Sequence, residues 1–308
     1  MQTRERVRPC VGPWVVGAAI ALALVVNACG AGPTPLPDAA GAAGWELIVL
    51  GRAQDAGIPH LGCTQAACID RREGRLPAER VASLGLRNAD TGQTFLFDAT
   101  PDFRSQVHSL AGERPPDGIF LTHGHMGHYT GLLYLGRESM NAKQVPVYAT
   151  ARMGAFLTAN GPWSQLVSLG NIALQPLAYD AAVTLGDGMQ VTAFAVPHRD
   201  EFTDTVGFLI EGANKKALFI PDIDRWSRWN RDIRALVDSV DYAFLDGSFA
   251  SADEIPGRST VDIPHPMMSA TRALLQGTRG ELWFIHLNHT NPELNAADVV
   301  KDGQRFGM

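Results

Sequence analysis

Gly118-Ile119-Phe120-Leu121-Thr122-His123-Gly124-His125-Met126-Gly127-His128 places three imidazoles within six residues, directly behind a short apolar run. The run reads as a buried strand, and the histidines follow its end. Three imidazoles this close do not all fit into an apolar core. Imidazole is the commonest transition-metal ligand, and zinc or iron sites are often built from two or three of them. Outward from this stretch the same arrangement recurs. Asp98 ends Thr94–Asp98 (TFLFD), and His198 follows Met189–Val196. Asp222 follows Lys216–Ile220 (KALFI), Asp246 follows Tyr242–Leu245, and His286 follows Leu282–Ile285 (LWFI). With His123, that makes six chemistry-bearing residues placed just after apolar β-type runs. Strand ends on one rim of a sheet are where a layered α/β fold assembles a site, because loops there converge on a rigid scaffold.

The rest of the chain gives the frame. Trp45–Gly51 (WELIVLG) reads as a first strand, and residues 53–79 read as a loop region. Val81–Arg87 and Thr94–Asp98 read as strands joined by a turn at 88–92, and Thr205–Glu211 as a further strand. Asp102–Leu110, 130–140, 151–160 and Trp229–Asp238 are read as helices. His108, inside the first of these, is read as a surface residue.

The first residues read as an address. Arg4, Arg6 and Arg8 form a basic start, and Val15 to Val26 is an apolar run. At ~1.5 Å per residue the run is too short to cross a ~30 Å hydrocarbon core comfortably, and it fits a secretory signal. Val26-Asn27-Ala28-Cys29 resembles the bacterial lipobox, which implies lipidation of Cys29. The expected organisation is a lipoprotein signal peptide over 1–28, a flexible Pro/Gly tether over 29–44 and one domain over 45–308. The protein is then exported and anchored to a membrane, as a periplasmic or cell-surface lipoprotein. The full chain carries −6. Without residues 1–28 there are 23 basic and 31 acidic side chains, a net −8. Such a surface repels phosphate backbones, so nucleic acid is not an expected partner. A small-molecule substrate is expected, and the sequence says nothing of oligomeric state.

The histidine motif, followed by strand-end His198, Asp222 and His286, resembles the metallo-β-lactamase superfamily pattern. That resemblance implies an α/β fold, a four-layer αβ/βα sandwich with metals at one edge. It implies His123, His125 and His198 around a first metal, His128 and His286 around a second, Asp222 bridging, and Asp98 orienting a ligand histidine. One position departs. The superfamily motif is His-x-His-x-Asp-His, and the Asp position is Gly127 here. Glycine has no donor atom, so the second position keeps His128, Asp222 and His286 and is expected to bind weakly or stay empty. By the same logic Gly127→Asp is expected to raise its occupancy. His289 is read as solvated or supporting rather than as a ligand. Zinc is the expected metal, with one firm site and a doubtful second.

A narrower resemblance rests on Asp55-Ala56-Gly57-Ile58-Pro59-His60-Leu61-Gly62-Cys63, Pro197-His198-Arg199-Asp200, Phe244-Leu245-Asp246-Gly247-Ser248 and His286-Leu287-Asn288-His289. These are similar to segments of pyrroloquinoline quinone biosynthesis protein B and its relatives. Cys63 and Cys68 fall where those relatives carry a structural zinc loop. Two readings stay open for the pair: a zinc site completed by His60 and Asp70, or a disulfide. The expected function is a metal-dependent hydrolase that turns activated water on an ester, lactone or phosphodiester-type substrate. Asp222 would orient the water or take its proton. His265, in Ile263-Pro264-His265-Pro266, would protonate the leaving group, as implied by the more distant cyclic phosphodiesterase relatives. Two alternatives remain: a non-haem iron oxygenase, and a non-catalytic metal-binding lipoprotein.

Overall fold

The computed structural model describes residues 44–255, 257 and 263–308. The signal segment 1–28, Cys29 and the tether to residue 43 lie outside the described residues. Strand β1 (Trp45–Gly51) shows why the strands read as unbroken apolar runs. All seven of its residues are buried, but alternate ones go to opposite faces. Leu47 and Val49 enter the core between two sheets, while Ile48 and Leu50 pack with helical residues on the other face. A strand covered on both sides has no polar face to show.

β2 (Ser83–Asn88), β3 (Thr94–Phe97), β4 (Gly118–Phe120), β5 (Val145–Ala149) and β6 (Ile172–Pro176) continue the first sheet from β1. The second sheet holds β7 (Ala182–Thr184), β8 (Gln190–Ala195), β9 (Val206–Glu211), β10 (Lys216–Ile220), β11 (Tyr242–Asp246) and β12 (Glu281–Ile285), in the order β12-β11-β10-β9-β8-β7. β13 (Arg305–Gly307) closes the first sheet by pairing antiparallel with β1. Phe97 and Phe120 of one sheet meet Phe208, Phe219 and Phe244 of the other in the central core. Phe97 and Phe208 meet edge to face, with centroids 5.4 Å apart.

Helices form the outer layers. α1 (Ala66–Arg72) precedes α2 (Phe103–Ala111), which buries Phe103, Val107 and Leu110 at helical spacing. The short α3 (Met126–Tyr129) follows, then α4 (Ala151–Ala159) and α5 (Trp163–Ser168), all on the first sheet's side. α6 (Ile233–Asp238) covers the second sheet with Ile233 and Val237. α7 (Met268–Leu275) adds Leu275 to that cluster. The result is the αβ/βα sandwich expected from the sequence.

Several elements differ from expectation. α1 lies in the stretch read as loop. The stretch 130–140, expected as a helix, holds a 3-10 turn at Thr130–Leu135, directly after the short α3. α6 begins at Ile233 rather than Trp229 because the Asp232 carboxylate accepts from Arg234 N at 2.9 Å and caps the first turn. β5, β6, β7 and β13 were not legible. Pro146 inside β5 disguises it, and β13 has three residues that pair only with a strand some 260 positions away.

Chain direction then places the site. β3 and β4 run parallel, so Asp98 and the His123 loop leave one edge together. β10, β11 and β12 run parallel, and β8 shares their direction because both β8 and β10 oppose β9. His198, Asp222, Asp246 and His286 therefore also share an edge. The exit of β1 ties the two edges: Gln54 N donates to Leu287 O and Leu287 N to Arg52 O, each at 2.8 Å.

Glu79 clamps this tie. Its buried carboxylate takes Arg52 through two bonds of 2.8 Å and Arg71 at 2.9 Å, while its backbone pairs with Ile58. Burial pushes the Glu79 carboxyl up, but Arg52 and Arg71 outweigh it and hold it below its ordinary 4.5. A depressed carboxyl stabilises the fold fully above the unfolded value and loses that contribution as pH falls through the folded one. Glu79→Gln leaves two guanidinium groups without a counter-charge and is expected to cost about 3 kcal/mol at pH 7. Denaturant unfolding at several pH values should show the gap shrinking as pH drops below about 4.

Candidate metal centre

Two strand ends adopt backbone that few non-glycine residues accept. Asp98 has φ +67° and His286 has φ +64°. Such left-handed turns at strand exits cost energy and persist only where packing enforces them. Here they turn both side chains into the rim.

Asp98 is completely buried and organises the first sheet's contribution. Its Oδ1 accepts from Thr122 N at 2.8 Å, and its Oδ2 lies 2.7 Å from His128 Nδ1. An ionised carboxylate only accepts, so His128 carries its proton on Nδ1 and turns the lone pair of Nε2 outward. Thr122 Oγ1 adds bonds to both Asp98 oxygens and lies 2.9 Å from His123 Nδ1.

Around these, the structure gathers every residue of the expected set. His123, His125 and His198 present ring nitrogens within 4.8 Å of one another. His123 Nε2 and His125 Nδ1 are 2.9 Å apart. Asp222 stands in the middle. Its Oδ2 is 3.0 Å from His128 Nε2, 3.2 Å from His286 Nε2 and 3.9 Å from His123 Nε2. Its Oδ1 is 3.6 Å from His198 Nε2 and 3.7 Å from His265 Nδ1. Yet His128 Nε2, His198 Nε2, His286 Nε2 and Asp222 Oδ2 are buried without a hydrogen bond of acceptable geometry. Buried polar atoms are normally satisfied. Several orphans aimed at one region, all nitrogen or carboxylate oxygen, fit a divalent cation such as zinc or iron.

Electrostatics point the same way. Burial, then the neighbouring His128, hold His123 well below the ordinary imidazole range, so it stays a neutral lone-pair donor. Burial also lowers His125, with Glu201 opposing. Burial pulls His128 down too, but Asp98, then Asp222 and Asp55, outweigh it and hold it well above its usual value. Burial would raise Asp222, yet His286 and His128 keep it well below the carboxylate range. The carboxylates demand positive charge at this point, whether protons or a metal ion supply it.

His265 enters from the second sheet's side. It is buried, 2.8 Å from Asp246 Oδ2 and 3.2 Å from Ser248 Oγ. Ser248 Oγ also lies 3.1 Å from His286 Nδ1. Asp246 thus serves the site through His265, and additionally accepts from Ile223 N and Ser248 N.

Sequence reasoning missed four participants. Glu201 sits 3.0 Å from His125 Nε2, and Asp224 Oδ1 sits 3.2 Å from His198 Nδ1. Ser248 is the third. The fourth, Asp55, corrects the expectation about Gly127. Asp55 Oδ1 lies 3.3 Å from His128 Nε2 and 3.9 Å from His286 Nε2. A Cβ built on Gly127 would fall 2.2 Å from that oxygen and 2.6 Å from Asp55 Cα. The position beside His128 is therefore not short of a carboxylate, and Gly127→Asp would collide with the one already present. No local signal in the sequence joins Asp55 to Gly127, because the approach is made by the fold.

The cysteine loop is arranged differently from either reading. Cys63 and Cys68 are buried, unbridged thiols. Burial, then Cys63 beside it, push the Cys68 thiol up. Asp70 is turned to Arg75 at 2.9 Å, and His60 stacks on His289 with centroids 4.2 Å apart. Among the described residues, no three-donor group includes these cysteines.

Comparison with known proteins agrees with this fold. Residues 93–287 match the model of a beta-lactamase superfamily domain. Coenzyme PQQ synthesis protein B from Ruegeria pomeroyi is 26% identical over 83% of this chain and 93% of its own length. The protein of the same name from Xanthomonas euvesicatoria is 28% identical over 81% and 91%. Among solved structures, zinc-bound PqqB from Methylobacterium extorquens superposes with a TM-score of 0.73 at 22% identity, covering 85% of this chain and all of that one. A diphosphatase from the PhnP family gives 0.63 at 21% identity, covering 85% and 96%. At these identities the structural likeness is one of fold.

The Asp98–His128 pair is directly testable. In Asp98→Asn, Thr122 N requires the oxygen, so the amide NH2 faces His128 Nδ1. The imidazole must then accept there and carry its proton on Nε2, which removes the inward lone pair. Metal affinity, measured by competition with a chromogenic chelator, is expected to fall about 10–100-fold. Far-UV circular dichroism should stay unchanged.

Proposed function

We propose that this chain, which belongs to the beta-lactamase superfamily, is a metal-dependent hydrolase acting on an ester, lactone or phosphodiester-type small molecule. One observation carries the proposal: buried, unpartnered ring nitrogens and carboxylate oxygens from distant strand ends face a common region at the rim. In this reading His123, His125 and His198 hold one cation, and His128, Asp222 and His286 take part in a second position. A bound divalent cation there supplies Lewis acidity and makes water nucleophilic near neutral pH. The chain's own residues do the rest. Asp222, placed between five imidazoles, orients the attacking water and accepts its proton. His265, held by Asp246 and Ser248, is positioned to deliver a proton to the leaving oxygen. Glu201 and Asp224 orient His125 and His198 through their outer nitrogens.

Two features support a small substrate over a polymer. The donors lie at or below the surface, and the mature chain is acidic. A second reading is oxygen chemistry at non-haem iron, since three histidines and a carboxylate also suit that metal. At the N-terminus, the proposal keeps residues 1–28 as a signal peptide and Cys29 as the lipidated residue that anchors the protein to a membrane.

Elemental analysis of protein purified with and without oxygen, paired with ester, lactone and phosphodiester substrates, decides between the chemistries. Zinc with hydrolysis supports the proposal, and iron with oxygen consumption replaces it. His123→Ala is expected to release most of the metal, and unchanged metal content would remove the assignment. His265→Gln is expected to keep its metal and lose about 10²–10⁴-fold in kcat, with KM less affected. For the anchor, Cys29→Ser is expected to move the protein from the membrane fraction to the soluble one.

A further inference from the structure

We propose that Asp55 is a ligand of the second metal position, supplied by the exit loop of β1. The inference rests on the metal-centre reading above and deepens it. Two observations carry it, and a third sets the charge that the group needs. First, Asp55 Oδ1 joins His128 Nε2 and His286 Nε2 in a three-donor group whose atoms lie within 4.8 Å of one another. Asp222 Oδ2 faces the same two nitrogens at 3.0 and 3.2 Å. Second, Asp55 Oδ1 is buried and has no hydrogen-bond donor of acceptable geometry, although the rest of the carboxylate is partly open. A carboxylate that served only as a counter-ion would rotate its buried oxygen into a hydrogen bond. Third, three carboxylates, those of Asp55, Asp98 and Asp222, reach the two imidazoles of His128 and His286. This buried group needs positive charge, and one dication held by two neutral imidazoles supplies as much as two imidazolium protons do.

Gly127 is the other half of the device. The Asp55 backbone passes so close that any Cβ at 127 would stand 2.6 Å from Asp55 Cα. The space beside His128 therefore admits one carboxylate, from 55 or from 127, and never both. The loop is not free to retreat. Gln54 is bonded to Leu287 beside His286, Gly57 N closes a turn onto Gln54 O at 2.8 Å, and Ile58 pairs with Glu79 in both directions. The carboxylate has moved to another segment of chain, and glycine at 127 is what lets that segment in.

The test is metal stoichiometry of the purified protein by elemental analysis, with cobalt titration followed by absorption. The unaltered chain is expected to bind two equivalents. Asp55→Asn, nearly isosteric, is expected to bind one tightly and to weaken the second at least tenfold. Gly127→Ala removes no donor yet pushes Asp55 aside, and is expected to give the same loss. Thermal melts of the metal-free proteins show whether each variant folds. If the unaltered chain binds two and Asp55→Asn also binds two with the same affinity, the inference on Asp55 is overturned while the metal centre stands. If the unaltered chain binds none, the metal-centre reading itself fails, and the role of Asp55 with it.

Discussion

Buried imidazoles and carboxylates held face to face without mutual hydrogen bonds are the constraint on which this structure turns. Each orphaned nitrogen or oxygen would cost on the order of 1–3 kcal/mol if nothing met it. The fold keeps His128, His198, Asp222, His286 and Asp55 in that condition at one rim. It enforces the arrangement with the left-handed backbone of Asp98 and His286, which only firm packing sustains. Asp98 follows β3, a central strand with every residue buried, and His286 follows the buried end of β12, the edge strand of the second sheet, where Leu287 pairs with the exit of β1.

Outside the cluster, nearly every donor has a partner on its far side. Asp98 stands behind His128, Asp224 behind His198, Glu201 behind His125, Ser248 behind His286 and Asp246 behind His265. The hydrogen-bonded ones select tautomers and fix ring planes, while Asp224 faces His198 Nδ1 at 3.2 Å without hydrogen-bond geometry. They also come from both sheets and the loops between them, so the site is a product of the whole rim and not of the histidine motif alone.

The β1 exit loop connects stability to chemistry. Arg52, Glu79 and Arg71 form a buried ion cluster that also reaches the carbonyls of Leu294 and Val300. That cluster holds the chain that presents Asp55, and the same chain pairs with Leu287 directly after His286. The clamp is therefore linked to Asp55 and His286 through continuous backbone pairing.

The residue pattern by itself determined the layered α/β class and most of the donor set. Apolar runs ending in His or Asp are local signals, and a strand buried on both faces writes them continuously along the chain. The superfamily likeness then implied which of those residues come together, and the structure brings them to one rim. Only the tertiary structure decided how the second position is completed. Nothing near Asp55 in the sequence says that it meets His128 and His286, because that meeting depends on β1 leaving its sheet and pairing with the end of β12. For the same reason Gly127 looked like a missing ligand, when its lack of a side chain is what admits another one. β5 and β13 stayed hidden on similar grounds: a strand with a proline, or of three residues, is defined by the neighbour that pairs with it. Contacts between residues far apart in the chain are set by topology, and no local pattern records them.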